Sequence, residues 1–322
     1  MQRTRCPLCS SDDAQIVATK ADYVEDLVNV VCRRCGLVYI DPVPTKEDLD
    51  SYYHKQFIQE RHHIASVDEA RERAKNKKSL EKYPVDSIKR FLSADSKVLE
   101  IGCGYGFFLK RIKDECGAQV FGVEPSEVSG KFAAEEYGIE VFHGLLDDYL
   151  SQADGRKFDM IIMHHVLEHI SEPVAALKRL TQKLSPGGKF YIVVPNVTEL
   201  QEPVEAFFQY PHVVSYSPWS LNHALNLSGL KTISLNPRLR PPRSGLEAVA
   251  TRFEEPENMV KASAFSVGSE PSDVVRVIRK AKLVYGLLRG VKGAVERVVP
   301  GRFIQPLSLK VRRLIRKIGD SF

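Results

Sequence analysis

The stretch that most limits what this chain can fold into is residues 98–109, V-L-E-I-G-C-G-Y-G-F-F-L. Val98-Leu99-Glu100-Ile101 reads as the end of a buried strand, and Phe107 opens a helical period. Between them Gly102, Gly104 and Gly106 make a G-x-G-x-G turn. Such glycines let the backbone bend sharply and approach a ligand that faces the N–H groups of a helix N-terminus. A second apolar run, Val120-Phe121-Gly122-Val123-Glu124, ends in a carboxylate 18 residues after Gly106. That distance suits a hydrogen bond to ribose hydroxyls at the tip of the adjacent strand. Downstream, helical periods at 126–137, 174–184 and 217–227 alternate with apolar runs at 139–142, 158–163 and 190–194. Pro186-Gly187-Gly188 reads as a turn, and 231–235 with 246–252 as a closing pair of strands. Alternation at this spacing implies an α/β chain with a doubly wound, mostly parallel sheet.

Dinucleotides and S-adenosylmethionine are both held at turns of this kind. The dinucleotide fingerprint G-x-G-x-x-G needs its third glycine for close helix–strand packing under a pyrophosphate. Here Tyr105, Gly106 and Phe107 follow Gly104, so the third glycine comes one residue early. Glu100 would repel a pyrophosphate but suits the ammonium end of a methionine moiety. E-I-G-C-G-Y-G resembles motif I of the class I S-adenosylmethionine-dependent methyltransferases, and V-F-G-V-E-P-S resembles their second-strand motif. The resemblance, which covers residues 91–255, implies a seven-stranded Rossmann-like methyltransferase sheet. It also implies a donor held by Glu100, Gly102, Cys103, Gly104, Tyr105, Gly106, Glu124 and Pro125, with Leu145, Leu146 and His164 completing the cofactor site. Asp147 either accepts from the adenine amino group or caps a helix.

With 322 residues, 43% of them hydrophobic, the chain has room for one large domain plus smaller appendages. No run approaches the roughly 18 apolar residues of a membrane-crossing helix. The start, M-Q-R-T-R-C-P-L-C, has no apolar signal region, so a cytoplasmic compartment is expected. Four of the six cysteines form C-x2-C-x22-C-x2-C, through Cys6, Cys9, Cys32 and Cys35. In a reducing compartment two matched pairs read as a closed tetrahedral zinc site, structural rather than catalytic. Residues 1–60 therefore form a zinc ribbon, and 61–90 a charged helical connector in which Tyr83 either packs or closes over the cofactor. C-R-R-C-G-L-V-Y-I-D-P-V-P-T, with Leu49 and Tyr52-Tyr53 beyond it, resembles the zinc module preceding many bacterial sugar and polysaccharide-cluster methyltransferases. The ribbon carries seven basic and ten acidic residues, which counts against a grip on a nucleic-acid backbone.

The end of the fourth strand reads Met163-His164-His165-Val166-Leu167-Glu168-His169, three of the nine histidines within six residues. The (N/D)-P-P-(Y/F) of base-modifying amino-methyltransferases is absent here. Methylation of a hydroxyl, or of carbon beside a ketone, requires removal of a proton, which suits His or Glu tuned near neutrality. His165, Glu168 and His169 at i, i+3 and i+4 would share one helical face, a spacing that also suits a divalent metal. Ubiquinone-pathway O-methyltransferases carry a similar E-x-x-E-H where a divalent metal has been implicated; His165 replaces the first carboxylate here. The other reading is that Leu167-Glu168-His169 only orients the helix beside the cofactor. A second cluster, residues 210–221, matches the H-x3-(F/Y)-S-x2-(S/T)-L that lies over the substrate in similar methyltransferases. His212 is the candidate general base and Tyr216 a pocket-shaping residue.

The tail after the methyltransferase unit, residues 256–322, is basic and helical. From 271 onward 13 lysines and arginines face three acids, a net charge of +10 against −5 for the rest of the chain. Val277, Ala281, Val284, Leu288, Val291, Val295 and Val298 recur at helical spacing, and Val311, Leu314, Ile315 and Ile318 form a second stripe. Such helices suit an anionic membrane surface, packing on the chain or a second subunit, or RNA, the last disfavoured by few aromatic residues. The expected function is methyl transfer to a hydroxyl, less readily to carbon, of a sugar, sugar nucleotide or lipid-linked glycan. The alternatives are a zinc-ribbon RNA methyltransferase and a membrane-associated scaffold that binds S-adenosylmethionine without turnover.

Overall fold

The alternating apolar runs build one sheet in the computed structural model, which describes residues 4–21, 24–52, 66–74, 84–152, 155–200, 202–237, 245–254 and 271–298. Among these, the central strands are β4 (Lys97–Ile101), β5 (Gln119–Glu124), β6 (Glu140–His143), β7 (Phe158–His164), β8 (Leu184–Pro195), β10 (Leu230–Asn236) and β11 (Gly245–Arg252). Their order is β10-β11-β8-β7-β4-β5-β6. The pairs from β8 through β6 are parallel, while β11 runs antiparallel to β8 and β10 antiparallel to β11. The chain builds outward from β4 through β5 to β6, then returns to place β7 on the other side of β4. That reversal opens a crevice at the carboxyl ends of β4 and β7, the place where doubly wound sheets bind ligands.

The helices follow local signals. Helix α3 (Phe107–Cys116) buries Phe108, Leu109 and Ile112 and ends at the left-handed Gly117. Helix α4 (Glu127–Tyr137) starts at Ser126, whose Oγ accepts the Ser129 N–H at 3.3 Å. Helix α5 (Leu146–Ser151) precedes β7, α6 (Pro173–Thr181) precedes β8, and the short α7 (Val204–Phe207) follows it. Helix α8 (Pro218–Leu227) is capped by Ser217, which accepts the Ser220 N–H at 3.2 Å. The S-x2-S of the 210–221 pattern thus forms a capping pair.

Three expectations change. Pro186-Gly187-Gly188 does turn, with Gly187 at φ +74° and Gly188 folded back onto Ser185, but the turn lies inside β8 and not ahead of the strand. Phe158 pairs with Leu184 and Met160 with Lys189, so β8 advances five residues while β7 advances two. The glycines are absorbed as a bulge, with Gly188 close against the Phe158 carbonyl. The second change concerns helix α9 (Pro271–Val298), whose stripe is displaced from the expected one. Val274 and Ile278 are fully buried, while Val277 is half-exposed. They pack with Val17, Val31, Val38, Val197, Phe207 and Phe208, which docks the helix start on the ribbon. Third, Asp147 does not cap α5. It is ion-paired with Arg179, and Asp148 accepts the Leu145 N–H at 3.0 Å instead. Tyr83, the second stripe at 311–318 and residues 238–244 lie outside the described residues. No helix among the described residues is long and apolar enough to cross a membrane.

The ribbon contributes β1 (Ala14–Ala21), β2 (Val24–Cys32) and β3 (Val38–Ile40), followed by α1 (Lys46–Tyr52). Helix α2 (Val67–Ala74) belongs to the connector and packs Ala70 on Phe132 of α4. A fourth strand joins the ribbon sheet from far along the chain. It is β9 (Val214–Ser215), which pairs antiparallel with β3 in the order β1-β2-β3-β9. The ribbon and the central sheet consequently share one apolar core: Cys6, Cys35, Leu37 and Tyr39 cluster with Val213, Val214, Leu221 and Leu225.

Candidate active site and zinc centre

The glycine turn forms a cradle against the tip of β5. The N–H groups of Gly102 and Cys103 both donate to the Val123 carbonyl, at 2.7 and 3.1 Å. Glu124 fixes the other side, its Oε2 accepting from Gly104 N–H and its Oε1 from Ser126 N–H, each at 2.8 Å. Each carboxylate oxygen keeps a further lone pair, so the ribose role expected of Glu124 stays open to it. The glycines differ in kind. A Cβ on Gly106 would overlap Ala133 and Ile139, whereas one on Gly104, at φ +54°, would meet nothing within 4 Å. Gly106 lets α3 close on α4; Gly104 presents bare backbone to open space.

Glu100 lies beneath this turn, fully buried, and its Oε2 has no hydrogen-bond partner among the described residues. Burial, and after it the Glu124 carboxylate, pushes its carboxyl well above the usual range. Burial likewise raises Glu124, against the N–H groups of Ser126 and Gly104 that favour its charged form. A buried acid with an orphaned oxygen beside an open glycine is what the ammonium of a methionine moiety would satisfy, so the residues fit S-adenosylmethionine. Tyr105 sits edge-on to Phe132 with centroids 5.5 Å apart, and Cys103 turns its thiol onto Gly122. Pro125, Leu145 and Leu146 are half-buried around the cradle, and His164 lies edge-on to Phe108 at 5.8 Å.

The histidine cluster is not arranged on one helical face. His165 has left-handed backbone, φ +56°, and only Leu167–His169 form a 3-10 turn. A non-glycine residue held there carries strain on the order of 1–3 kcal/mol, which the surroundings must over-determine. They do so through His165 N–H on the Val193 carbonyl at 2.9 Å and His165 Nδ1 against Glu168 Oε1 at 3.1 Å. Glu168 is 1% exposed. Burial alone would raise its carboxyl, but the His165 hydrogen bond and the charges of His165, His169 and His212 outweigh it, to about 2.

The structure brings His212 into this group. Ligand atoms of Glu168, His169 and His212 all lie within 4.8 Å of one another, and the two imidazole centroids are 4.9 Å apart. The Pro211 carbonyl lies 3.1 Å from His169 Nδ1, so the residue before His212 orients His169. Nothing in the sequence marks that carbonyl, nor the edge-on pair of Tyr52 and Tyr210 at 4.9 Å that carries α1 to the same segment. Tyr216 does not shape a pocket. It is 0% exposed, its hydroxyl has no partner among the described residues, and burial and then the charges of Glu168, Cys6 and Cys35 raise it.

All four ribbon cysteines converge, with Cys6 Sγ to Cys35 Sγ and Cys9 Sγ to Cys32 Sγ both 3.5 Å and the whole set within 4.8 Å. Four thiolates at about 2.3 Å from a tetrahedral zinc stand about 3.8 Å apart, so the donor set fits that ion. Hydrogen bonds from Cys35 and Cys6 hold Cys32 low, while the bond to Cys32 pushes Cys6 to about 12 and Cys35 higher still. A dication is what would let all four ionise together.

Residues 67–235 match the family described as a methyltransferase domain. The chain is similar to the ubiquinone biosynthesis O-methyltransferase of Idiomarina loihiensis, 36% identical over 104 residues, 31% of this chain and 42% of that protein. The enzyme of the same name from Parvibaculum lavamentivorans is 34% identical over 107 residues, 32% of this chain and 42% of the relative. The matched region thus spans less than half the length of these relatives. Among solved structures, an S-adenosylmethionine-dependent methyltransferase from Mesorhizobium loti is 18% identical, covering 52% of this chain and 96% of its own, with a TM-score of 0.43. One from Aquifex aeolicus is 19% identical, covering 54% and 92%, with a TM-score of 0.41.

Proposed function

This chain belongs to the methyltransferase-domain family, and from that premise we propose that it moves the methyl group of S-adenosylmethionine to a hydroxyl of a sugar, sugar nucleotide or lipid-linked glycan. The observation that carries the reading is the convergence of Glu168 and His169, beyond the end of β7, with His212 of the 210–221 segment within 4.8 Å. Glu100, Glu124 and the Gly104 backbone would hold the donor, which when bound supplies an electrophilic methyl group. His212 takes the proton that the acceptor hydroxyl loses as its oxygen becomes nucleophilic. Glu168 stays ionised at neutral pH and stabilises positive charge on the imidazoles around it. His169, held by the Pro211 carbonyl, keeps the 211–212 segment in place. Oxygen as acceptor agrees with the names of the ubiquinone biosynthesis O-methyltransferases, and a glycan acceptor with the four-cysteine pattern of the ribbon.

Two measurements test it. Calorimetric titration should show one S-adenosylmethionine bound per chain, and absence of binding ends the proposal. In extracts of glycans or sugar nucleotides, product heavier by one CH2 should form with the native chain. His212→Asn should lower kcat by about 10²- to 10⁴-fold while leaving donor affinity unchanged; full turnover in that variant removes His212 as base. A second reading has Glu168, His169 and His212 hold a divalent cation, favoured by one carboxylate and two imidazoles at ligand distance and by Glu168 Oε2, which has no hydrogen-bond partner among the described residues. Metal content above the one zinc of the ribbon, lost in His169→Ala, would support it.

A further inference from the structure

The ribbon reaches the acceptor side of the site through backbone pairing, and we infer that its four-cysteine centre fixes the position of the segment bearing His212. Zinc occupancy and acceptor-site geometry would then form one coupled unit. The coupling has three parts. In the first, Cys32 and Cys35 bracket the turn that launches β3: the Gly36 N–H donates to the Cys32 carbonyl, and the Cys32 N–H to the Leu37 carbonyl, each at 2.9 Å. The direction of β3 is therefore set by the second cysteine pair.

In the second, β3 holds β9. Val38 pairs with Ser215 and Tyr39 with Val214, and the Ile40 N–H donates to the Val213 carbonyl at 3.0 Å. Val213 directly follows His212. In the third, the far end of β9 is tied to the central sheet, with the Val197 N–H on the Tyr216 carbonyl at 2.9 Å and a bridge from Asn196 to Tyr216. The Tyr216 ring fills the space between, buried in the same cluster as Cys6 and Cys35 and within the electrostatic reach of Glu168.

A two-residue strand does not hold its place alone, because pairing this short is marginal in water. It stays put because both neighbours are rigid. The neighbour on the ribbon side is rigid only while four thiols within 4.8 Å of one another are drawn together, which is what the metal does. On this account the ribbon is a wall of the active site, and Tyr39, Val213 and Val214 are positioning residues. The inference rests on the proposed function only for the role of His212.

The test is hydrogen exchange read by mass spectrometry on the full chain, zinc-loaded and after removal of zinc with a chelator at neutral pH. Loss of zinc should speed exchange in 210–217 by about tenfold or more, while 97–106 and 119–124 stay within about twofold. S-adenosylmethionine affinity, measured in parallel, should change by less than about threefold. Unchanged exchange in 210–217 overturns the inference. So does equal loss of protection in both regions, which would make zinc a global stabiliser with no particular link to His212. If the metal-free chain does not stay folded, Val214→Ala with zinc bound serves instead. It should keep one zinc per chain and the cradle's protection but speed exchange in both 36–40 and 210–217; protection unchanged in either segment overturns the coupling. Failure of the native chain to bind S-adenosylmethionine ends the methyl-transfer reading but leaves the exchange result to judge the coupling by itself.

Discussion

Glu100 illustrates how one side chain can be a liability in the free protein and an asset in the complex. Its folded carboxyl titrates well above the unfolded value of 4.5. The stability tied to its protonated form is therefore present below that value and lost as pH rises towards the folded one. Unfolding by denaturant should accordingly show a free protein that weakens across this range, and Glu100→Gln should flatten that slope and raise stability at pH 8. The same variant should bind S-adenosylmethionine about 10- to 100-fold more weakly, since a buried charge-assisted hydrogen bond contributes about 1.5–3 kcal/mol. A variant that binds the donor as well as the native chain would remove Glu100 from the donor site. At this scale the sequence was informative about residue type and poor about partners. That Glu100, Glu168 and His212 are candidates is readable from their chemistry and their place in the pattern. That Asp148 and not Asp147 caps α5 depends on Arg179, 32 residues away, and no local pattern contains that contact.

Elements were legible where their period was strong and local. The strand–glycine–helix unit stands where residues 98–109 place it, because each signal in it acts over four or five residues. Its glycines make a sharper prediction than the motif does. Gly106→Ala must push aside Ala133 and Ile139, so it should cost about 1–3 kcal/mol in thermal denaturation. Gly104→Ala meets no neighbour, so its stability cost should be limited to the left-handed backbone, about 1–2 kcal/mol, while donor affinity falls more steeply than in Gly106→Ala. Equal binding losses would mean that Gly104 does not face the donor. Two elements escaped local reading for physical reasons. In β8 the Pro-Gly-Gly stretch turns as its local chemistry dictates, and what the local pattern misses is that Leu184, ahead of the turn, already pairs with Phe158 of β7. The His165-to-His169 segment looked helical because i, i+3 and i+4 is helical spacing, yet contacts to Val193 and Glu168 hold His165 in the left-handed region.

The whole molecule departs furthest from a string of modules. Composition separates an acidic ribbon, a catalytic unit and a basic tail, but helix α9 starts on the ribbon's strands. Its start uses Val274 and Ile278, with the expected Ala281 packed beside them, where the amphipathic reading favoured Val277, because the partner surface of Val17, Val31 and Phe208 decides which face turns inward. Ile278→Ala should therefore destabilise the chain by about 2–5 kcal/mol in chemical denaturation. A substitution without effect would mean that the helix is only loosely attached.

The pairing of β3 with β9 has a consequence for how such chains are divided. The recognisable unit, residues 67–235, contains β9 but not the strand that completes it. Cut out at those limits, it would present Val213, Val214, Tyr216 and Leu221 as bare surface, beside an unsatisfied strand edge prone to association. The span a family shares and the span that folds are different lengths of this chain.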